Sequence, residues 1–490
     1  MRRATKTLAG AVVTLAAGVG ACVALWPDRF VVNAPVRQML FGLGIEAPPP
    51  QTVAARLRGP AGTVVSRFAE DLPNVRLLRF APGGALFASL PRGGRVVRLE
   101  PDRDGDGRSD GSHDVLAGLD RPHGLDFFDG WLYVAEAGAV GRARFDAAAG
   151  STSASPTFER VVTGLPEGGN HWTRTLRFGP DGWMYVSVGS SCNVCREEDG
   201  RRAALLRFRP DGSGEEVFAT GLRNSVGFDW RPEDGQLYAT ENGRDLLGDD
   251  FPPCELNRVV RGGFYGWPVA NGDRVPDPDL GKGQEARIES STPPVHGFRA
   301  HNAPLGVTFL RGEVLPEEYR GAAVVALHGS WNRTKKDGYK VVSLHWTSDG
   351  RIEERDFLTG FLGSTDDDLI GRPVDVAQGP DGSVYVSDDY AGSVYRVEWQ
   401  TANRAAATAA PAEALAHGRA LWDRLACASC HDPRRAPAGM VTRPLAGLAG
   451  RHDAASLVDY LRAPQPPMPA FDLSDAERVA LARFLLSEHP

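Results

Sequence analysis

A phrase recurs along the middle of this chain, and it restricts the fold more than any other feature. It reads Phe80-Ala-Pro-Gly-Gly-Ala-Leu-Phe-Ala, then Phe128-Asp-Gly-Trp-Leu-Tyr-Val-Ala, then Phe178-Gly-Pro-Asp-Gly-Trp-Met-Tyr-Val-Ser. It returns as Trp230-Arg-Pro-Glu-Asp-Gly-Gln-Leu-Tyr-Ala and as Gln378-Gly-Pro-Asp-Gly-Ser-Val-Tyr-Val-Ser, with a looser copy over 309–326. Each copy is a turn, with Gly supplying positive φ, between two short alternating strands. The first four recur about every fifty residues, and the later spacing is longer, which implies insertions. Repeats of this period read as propeller blades, because one blade cannot bury both faces alone. Six copies predict a six-bladed β-propeller over 60–399; a pair of β-sandwiches or a β-helix is the competing architecture. A propeller's central channel collects loops from every blade, a natural seat for a flat ligand.

After Trp399 the texture changes. Residues 400–412 are rich in Ala and Thr and read as a linker, followed by a small all-α domain over 413–490. Helices are expected over 414–425 and 474–486. Ser474-Asp-Ala-Glu477 is a capping box, in which each side chain satisfies an orphan backbone N–H of the other residue. Leu473, Val479, Leu481, Phe484 and Leu485 supply the apolar stripe. Between these helices lies Cys427-Ala-Ser-Cys430-His431, the attachment signature of haem c. Two thiols two residues apart reach the two vinyl groups of one porphyrin, and the His ligates iron. The sixth ligand is expected at Met468, in Pro466-Pro-Met-Pro-Ala-Phe471, with Met440 as rival. A thioether ligand raises the potential, which suits an electron carrier. With the motif, loop, Met-Pro and terminal helix in this order, 412–490 resembles class I cytochromes c.

The formal charge of −7 and the absence of basic runs exclude nucleic acid as a partner. Arg2, Arg3 and Lys6 precede the apolar Leu8–Trp26, so 1–30 is expected to be a signal peptide or membrane anchor. Val19-Gly20-Ala21-Cys22 is alternatively a lipidation site. Each outcome places the body of the protein in the periplasm or at the outer face of the membrane, where disulfides persist. Cys192 and Cys195 could pair locally, or Cys254 could pair with one of them.

No Gly-x-Gly-x-x-Gly opens a helix after a strand, so a nicotinamide Rossmann site is not expected. Several phrases, in order, carry a resemblance instead. They are His171-Trp-Thr-Arg174, Gly221-Leu-Arg223-Asn224, Glu241-Asn-Gly243-Arg244, Glu255-Leu-Asn257, Gly262-Gly-Phe-Tyr-Gly-Trp-Pro268, His328-Gly-Ser-Trp331-Asn-Arg333 and Gly371-Arg372-Pro-Val-Asp375. With them, residues 65–399 resemble the soluble quinoprotein sugar dehydrogenases that use pyrroloquinoline quinone (PQQ), closest to the L-sorbosone and pyranose dehydrogenase branch. The resemblance implies that His171, opening its strand, is the general base. A His suits that role because its pKa lies near working pH; His123 and His301 are rivals. It also implies that Arg223, with Asn224 beside it, stabilises charge on the quinone oxygens. Arg333 and Arg372, or Lys335 and Lys336, would meet the PQQ carboxylates. Calcium would be held by the backbone carbonyls of Gly243 and Arg244. Arg244 stands where the glucose-oxidising branch has Pro.

A second calcium loop is suggested by Asp102-Arg-Asp104-Gly-Asp106-Gly107, although His113 takes the place of the closing Glu. The alternative for this stretch is a hairpin tip. The expectation overall is a sugar, aldehyde or alcohol dehydrogenase that passes electrons through PQQ to its own haem, then to another cytochrome or a terminal oxidase. The competing expectation is a haem c electron carrier whose propeller is a carbohydrate- or protein-binding module, or an empty scaffold.

Overall fold

The computed structural model describes residues 31–35, 43–103, 105–146, 151–152, 157–312, 314–400, 411–432, 435, 442–443, 445, 448, 452 and 454–488. The apolar segment 8–26 with Cys22, Asp104, Met440 and residues 401–410 of the linker lie outside the described residues. Among the described residues, no helix is long and apolar enough to cross a membrane. The chain divides into two compact units, the first holding Val65–Leu99 and Ser112–Val397 and the second Glu398–Pro490.

The first unit is a six-bladed β-propeller. Leu78–Phe80, Leu86–Leu90, Arg95–Leu99 and Ser112–Leu116 form blade one. Leu125–Phe128, Trp131–Ala135, Ala139–Asp146 and Glu159–Thr163 form blade two. Leu176–Phe178, Met184–Val188, Ala204–Phe208 and Glu216–Thr220 form blade three, to which Gly263–Phe264 adds a parallel strand. Phe228–Trp230, Leu237–Glu241, Cys254–Val259 and His296–Phe298 form blade four. Pro304–Phe309, Ala323–Leu327, Lys340–Trp346 and Ile352–Leu358 form blade five. In blade six, Pro373–Gln378, Val384–Asp388 and Ser393–Trp399 are completed by Thr63–Ala69, a strand from before blade one. The ring is thus fastened by pairing the start of the propeller to its end. The widened spacing after blade four's phrase is explained by a hairpin of Ala270–Asn271 with Val275–Pro276 and the helix Glu285–Glu289.

Each repeated phrase is the turn from a blade's first strand to its second. The expected alternation is not what the second strands show: Leu86–Leu90, Met184–Val188, Ala323–Leu327 and Val384–Asp388 are buried at every position. Neighbouring blades cover both faces of these strands, so both faces are buried. The first strands neighbour one another from blade to blade. There the carboxylates latch consecutive blades. Asp126 accepts the Phe178 N–H at 2.7 Å, Asp229 that of Phe309 at 2.9 Å and Asp375 that of Leu78 at 2.8 Å. Glycine lets the strands approach. A Cβ on Gly227 would lie 2.2 Å from the Leu305 carbonyl oxygen. Gly227→Ala should therefore force the blade four–five seam apart and cost about 1–3 kcal/mol, read as a lower denaturant midpoint.

The second unit is helical, with Pro411–Arg424, Ala428–His431, Ala454–Arg462 and Asp475–Glu488. Leu421, Leu457, Leu461, Leu473, Leu481, Phe484 and Leu485 make its core. The first and last helices cross at Gly418, where a Cβ would meet the Ala480 carbonyl oxygen at 2.2 Å. The capping box forms reciprocally: Ser474 N–H donates to Glu477 at 2.9 Å, and Glu477 N–H to Ser474 Oγ at 3.3 Å.

Candidate active site and haem site

Topology gathers the predicted residues of the propeller. His171, Arg223, Asn224, His301 and Arg372 precede first strands, while Ser190, Gly243 and Arg333 follow second strands. Because those two strands are antiparallel, both sets of loops share one end of the propeller. His171 does not open its strand: the strand begins at Leu176, and the five residues before it form an extended loop. Arg174, fully buried, pins that loop by donating to the carbonyls of His171 and Thr173 at 3.1 and 2.8 Å, and to that of Pro166.

The tautomer of His171 follows from its neighbours. Its Nδ1 lies 3.0 Å from the Ser190 carbonyl oxygen and 2.9 Å from Ser190 Oγ. The carbonyl only accepts, and Ser190 Oγ spends its one hydrogen on the Cys192 carbonyl at 2.7 Å. Nδ1 therefore carries the proton, and Nε2 is left with a lone pair. Burial, and then the Arg223 charge beside it, lowers the His171 pKa to about 3. The ring is neutral at physiological pH.

The unfolded chain binds a proton on this His below about pH 6.5, which the folded chain refuses until about pH 3. Its contribution to stability is thus full above pH 6.5 and is lost as pH falls. Stability lost between pH 6.5 and 5 should be smaller in His171→Asn than in the parent, by on the order of 1 kcal/mol, measured by chemical denaturation at both pH values. The comparison cancels opposing groups such as Glu241.

Arg223 is buried and uses every N–H it has. Nε donates to the Asn193 carbonyl at 2.9 Å, and Nη1 to the carbonyls of Asn242 and Gly243, both at 3.1 Å. Nη2 donates to Asn193 Oδ1 at 2.9 Å and to Asp245 at 3.0 Å. Burial raises the Asp245 pKa, but the His301 hydrogen bond and the Arg223 charge outweigh it and hold the carboxylate ionised. His301 Nε2 donates to the Gly248 carbonyl at 2.8 Å, so it has no lone pair to offer there. His123 is fully buried. His171 and Asn224 both border Gly189, where a Cβ would lie 2.6 Å from His171 Cβ and 3.0 Å from Asn224 Oδ1.

Arg333 donates to the carbonyls of Asp249 and Ala300 and to Asp250, and its buried Nε has no partner. Arg372 donates to the carbonyls of His328 and Gly329, both at 3.2 Å, and lies over the Tyr339 ring. Lys336 reaches Asn33 at 2.7 Å. The Arg244 side chain pairs with Asp277 at 2.6 Å and Asp279 at 3.0 Å. A small recess lined by Arg223, Glu241, Gly243, Glu255 and Trp267 adjoins this network. Burial raises Glu241 to about 8 and Glu255 to about 7, and the two face each other on adjacent strands.

These residues fit the groups the sequence suggests. Arg333 and Arg372 bring two guanidinium groups to one end, suited to a polycarboxylate, and Arg223 adds charge there with its N–H groups already spent. The Asn242 and Gly243 carbonyls and the Asp245 carboxylate are hard oxygen donors, and the cation they face in this structure is the Arg223 guanidinium. Asp245, Ser190, Asn193 and Arg174 were not legible as site residues.

Cys192 and Cys195 form a disulfide, and Cys254 is a buried thiol. Among the described residues, Cys192, Cys195 and Glu197 are the one group of three whose ligand atoms converge as a metal site would require. The two sulfurs are already joined to each other. The Asp102 loop joins the third and fourth strands of blade one as a hairpin tip. Asp102 accepts the N–H groups of Gly105 and Gly107 at 2.7 and 3.0 Å, and Asp106 that of Arg108 at 2.7 Å.

In the second unit, Cys427 caps the start of the helix Ala428–His431, and Cys430 lies within it. His431 Nδ1–H donates to the Arg443 carbonyl at 2.7 Å, which leaves the lone pair on Nε2. Met468 packs against the helical core.

Residues 71–421 match the family described as Domain of unknown function (DUF7133). The chain belongs to the DUF7133 family. Residues 413–485 match the family described as cytochrome c oxidase, cbb3-type, subunit III, so the second unit of this DUF7133 protein is a cytochrome c domain. An uncharacterized protein of Borreliella burgdorferi is 36% identical over 220 residues, covering 44% of this chain and 57% of that protein. One from Synechocystis is 27% identical over 259 residues, covering 47% and 57%. The chain thus spans little more than half the length of the curated relatives it matches. Three solved structures share the propeller fold. The calcium structure of a Trichoderma reesei Carbohydrate-Active Enzymes Family AA12 protein has a TM-score of 0.61 at 21% identity, covering 73% of this chain and 99% of that one. The holo pyranose dehydrogenase PQQ domain of Coprinopsis cinerea has 0.59 at 22%, covering 72% and 98%. The apo soluble aldose sugar dehydrogenase of Escherichia coli has 0.53 at 20%, covering 69% and 100%.

Proposed function

We propose that this chain is a periplasmic quinohaemoprotein dehydrogenase that oxidises a sugar, or a related aldehyde or alcohol, and reduces its own haem c. The observation that carries the reading is a neutral His171 with its Nε2 lone pair unspent, beside the fixed positive charge of Arg223. The chain also holds a Cys-x-x-Cys-His motif. The kinds of protein that share its propeller fold support it: a pyranose dehydrogenase PQQ domain and an aldose sugar dehydrogenase.

His171 Nε2 takes the proton of the reacting hydroxyl, and Ser190 stabilises the imidazolium that results through Nδ1–H. Arg223 holds positive charge where negative charge develops. Asn224, Arg333 and Arg372 would hold PQQ, and the carbonyls of Gly243 and Arg244 would hold calcium. PQQ, when bound, supplies the acceptor for hydride and its two electrons. Cys427 and Cys430 would hold haem covalently, with His431 and Met468 on iron. Electrons then leave to a downstream cytochrome or terminal oxidase. Export is supported by the basic start before residues 8–26, the c-type haem motif and the Cys192–Cys195 disulfide.

The test is haem reduction followed optically in protein carrying its haem, with PQQ, calcium and a panel of sugars, aldehydes and alcohols. Reduction that requires all three additions supports the reading and identifies the substrate class. If PQQ fails to bind calcium-loaded protein by titration, the dehydrogenase reading falls and a binding-module propeller replaces it.

A further inference from the structure

One four-residue loop reaches both His171, through Ser190, and Arg223. Its ends are the disulfide partners Cys192 and Cys195, whose Cα atoms are 6.2 Å apart. The Cys192 carbonyl takes the Ser190 hydroxyl proton and so leaves Ser190 Oγ only its lone pairs for His171. Asn193, inside the loop, meets Arg223 twice, through its carbonyl and its Oδ1. The same Oδ1 accepts the Asp245 N–H at 2.8 Å, and Asn193 Nδ2 donates to the Asp245 carbonyl at 3.1 Å. Trp267 Nε1 adds a bond to the Asn193 carbonyl at 3.3 Å.

We propose that the Cys192–Cys195 loop is a positioning clamp that sets the tautomer of His171 and the register of Arg223. The inference rests on the dehydrogenase reading for its catalytic consequence. Without the tether, residues 192–195 regain backbone freedom that must be lost again each time the loop orders. The Ser190 hydroxyl is then free to turn, and as a donor it would favour the other His171 tautomer, with the lone pair on Nδ1. Arg223 loses two of its five acceptors together. Ser190 and Asn193 are positioning residues here, since neither is assigned a contact with substrate.

The experiment uses the full, haem-loaded chain and the double variant Cys192→Ser, Cys195→Ser. With haem held ferrous by ascorbate and no PQQ added, ¹⁵N-histidine spectra report the tautomer, and His171→Asn assigns the signal. The parent should show a protonated Nδ1 and a bare Nε2 between about pH 5 and 8; the double variant should show both tautomers. With PQQ, calcium and substrate, its kcat should fall about 10²-fold, while KM moves about two-fold or less. A fold that is merely weakened would lower Tm without moving the tautomer. Parent-like spectra and kcat in the double variant overturn the clamp. If that variant does not fold, Asn193→Ala, which keeps the disulfide, decides instead: about a tenfold loss of kcat is expected, and unchanged kcat overturns the proposal. A parent that never reduces its haem sinks the dehydrogenase reading, but the spectra, taken without PQQ, still judge the clamp.

Discussion

Replacing His171 with Asn should slow substrate-driven haem reduction by about 10²–10⁴-fold, the usual contribution of a positioned general base. Asn is the informative choice because its amide N–H reaches the place of Nδ1 and keeps a donor for Ser190. What it removes is the lone pair at Nε2. The variant should therefore bind PQQ with parent-like affinity and show an unchanged haem spectrum. Stopped-flow absorbance of the haem, started by substrate, reads the rate. In the parent, kcat/KM should not rise or fall between pH 5 and 8 through this residue, because its pKa of about 3 keeps it neutral across that range. A neutral base has a cost: with so low a pKa it is weak in the ground state, so the proton must move as hydride leaves. If His171→Asn retains the parent rate, the base lies elsewhere. His301 would then need a rotated ring, since its Nε2–H is held by Gly248.

What the sequence made legible was whatever is local. The blade turns could be read because Pro-Asp-Gly needs a residue with positive φ, and Gly182 and Gly382 adopt φ of 76° and 82°. The capping box could be read because its partners are three residues apart. The outer strand of blade six, Thr63–Ala69, could not be read as such, because no turn joins it to the rest of its sheet. The site divides the same way. His171 and Arg223 were visible in their phrases, but the saturation of Arg223 depends on Asn193, Asn242, Gly243 and Asp245, which only the ring brings together. Asp245 directly follows the Glu241–Arg244 phrase, and Ser190 stands two residues before a Cys-x-x-Cys. Proximity to those motifs was the signal available for both.

Converting Cys427 and Cys430 together to Ser should abolish covalent haem and, with it, all substrate-driven haem reduction. Ser hydroxyls cannot add to the vinyl groups as thiols do, so no thioether forms. Haem would then have no covalent anchor, and the proposed axial ligand His431 sits on a helix of only four residues, Ala428–His431. The helical core should survive, because Leu421, Leu461, Leu481 and Leu485 pack independently of the motif and the Gly418 crossing is untouched. Denatured-gel haem staining should be blank, with the far-UV helical signal reduced but present. The two-unit division of the chain makes the decisive measurement a different one. PQQ titration of the double variant should match the parent, and sugar should still reduce a soluble dye that takes electrons from the propeller directly. Dye reduction without haem locates substrate oxidation in the propeller and leaves the cytochrome domain as its electron outlet. Loss of dye reduction along with haem would mean that the haem unit itself is needed for oxidation, and electron flow from propeller to haem would be the wrong order.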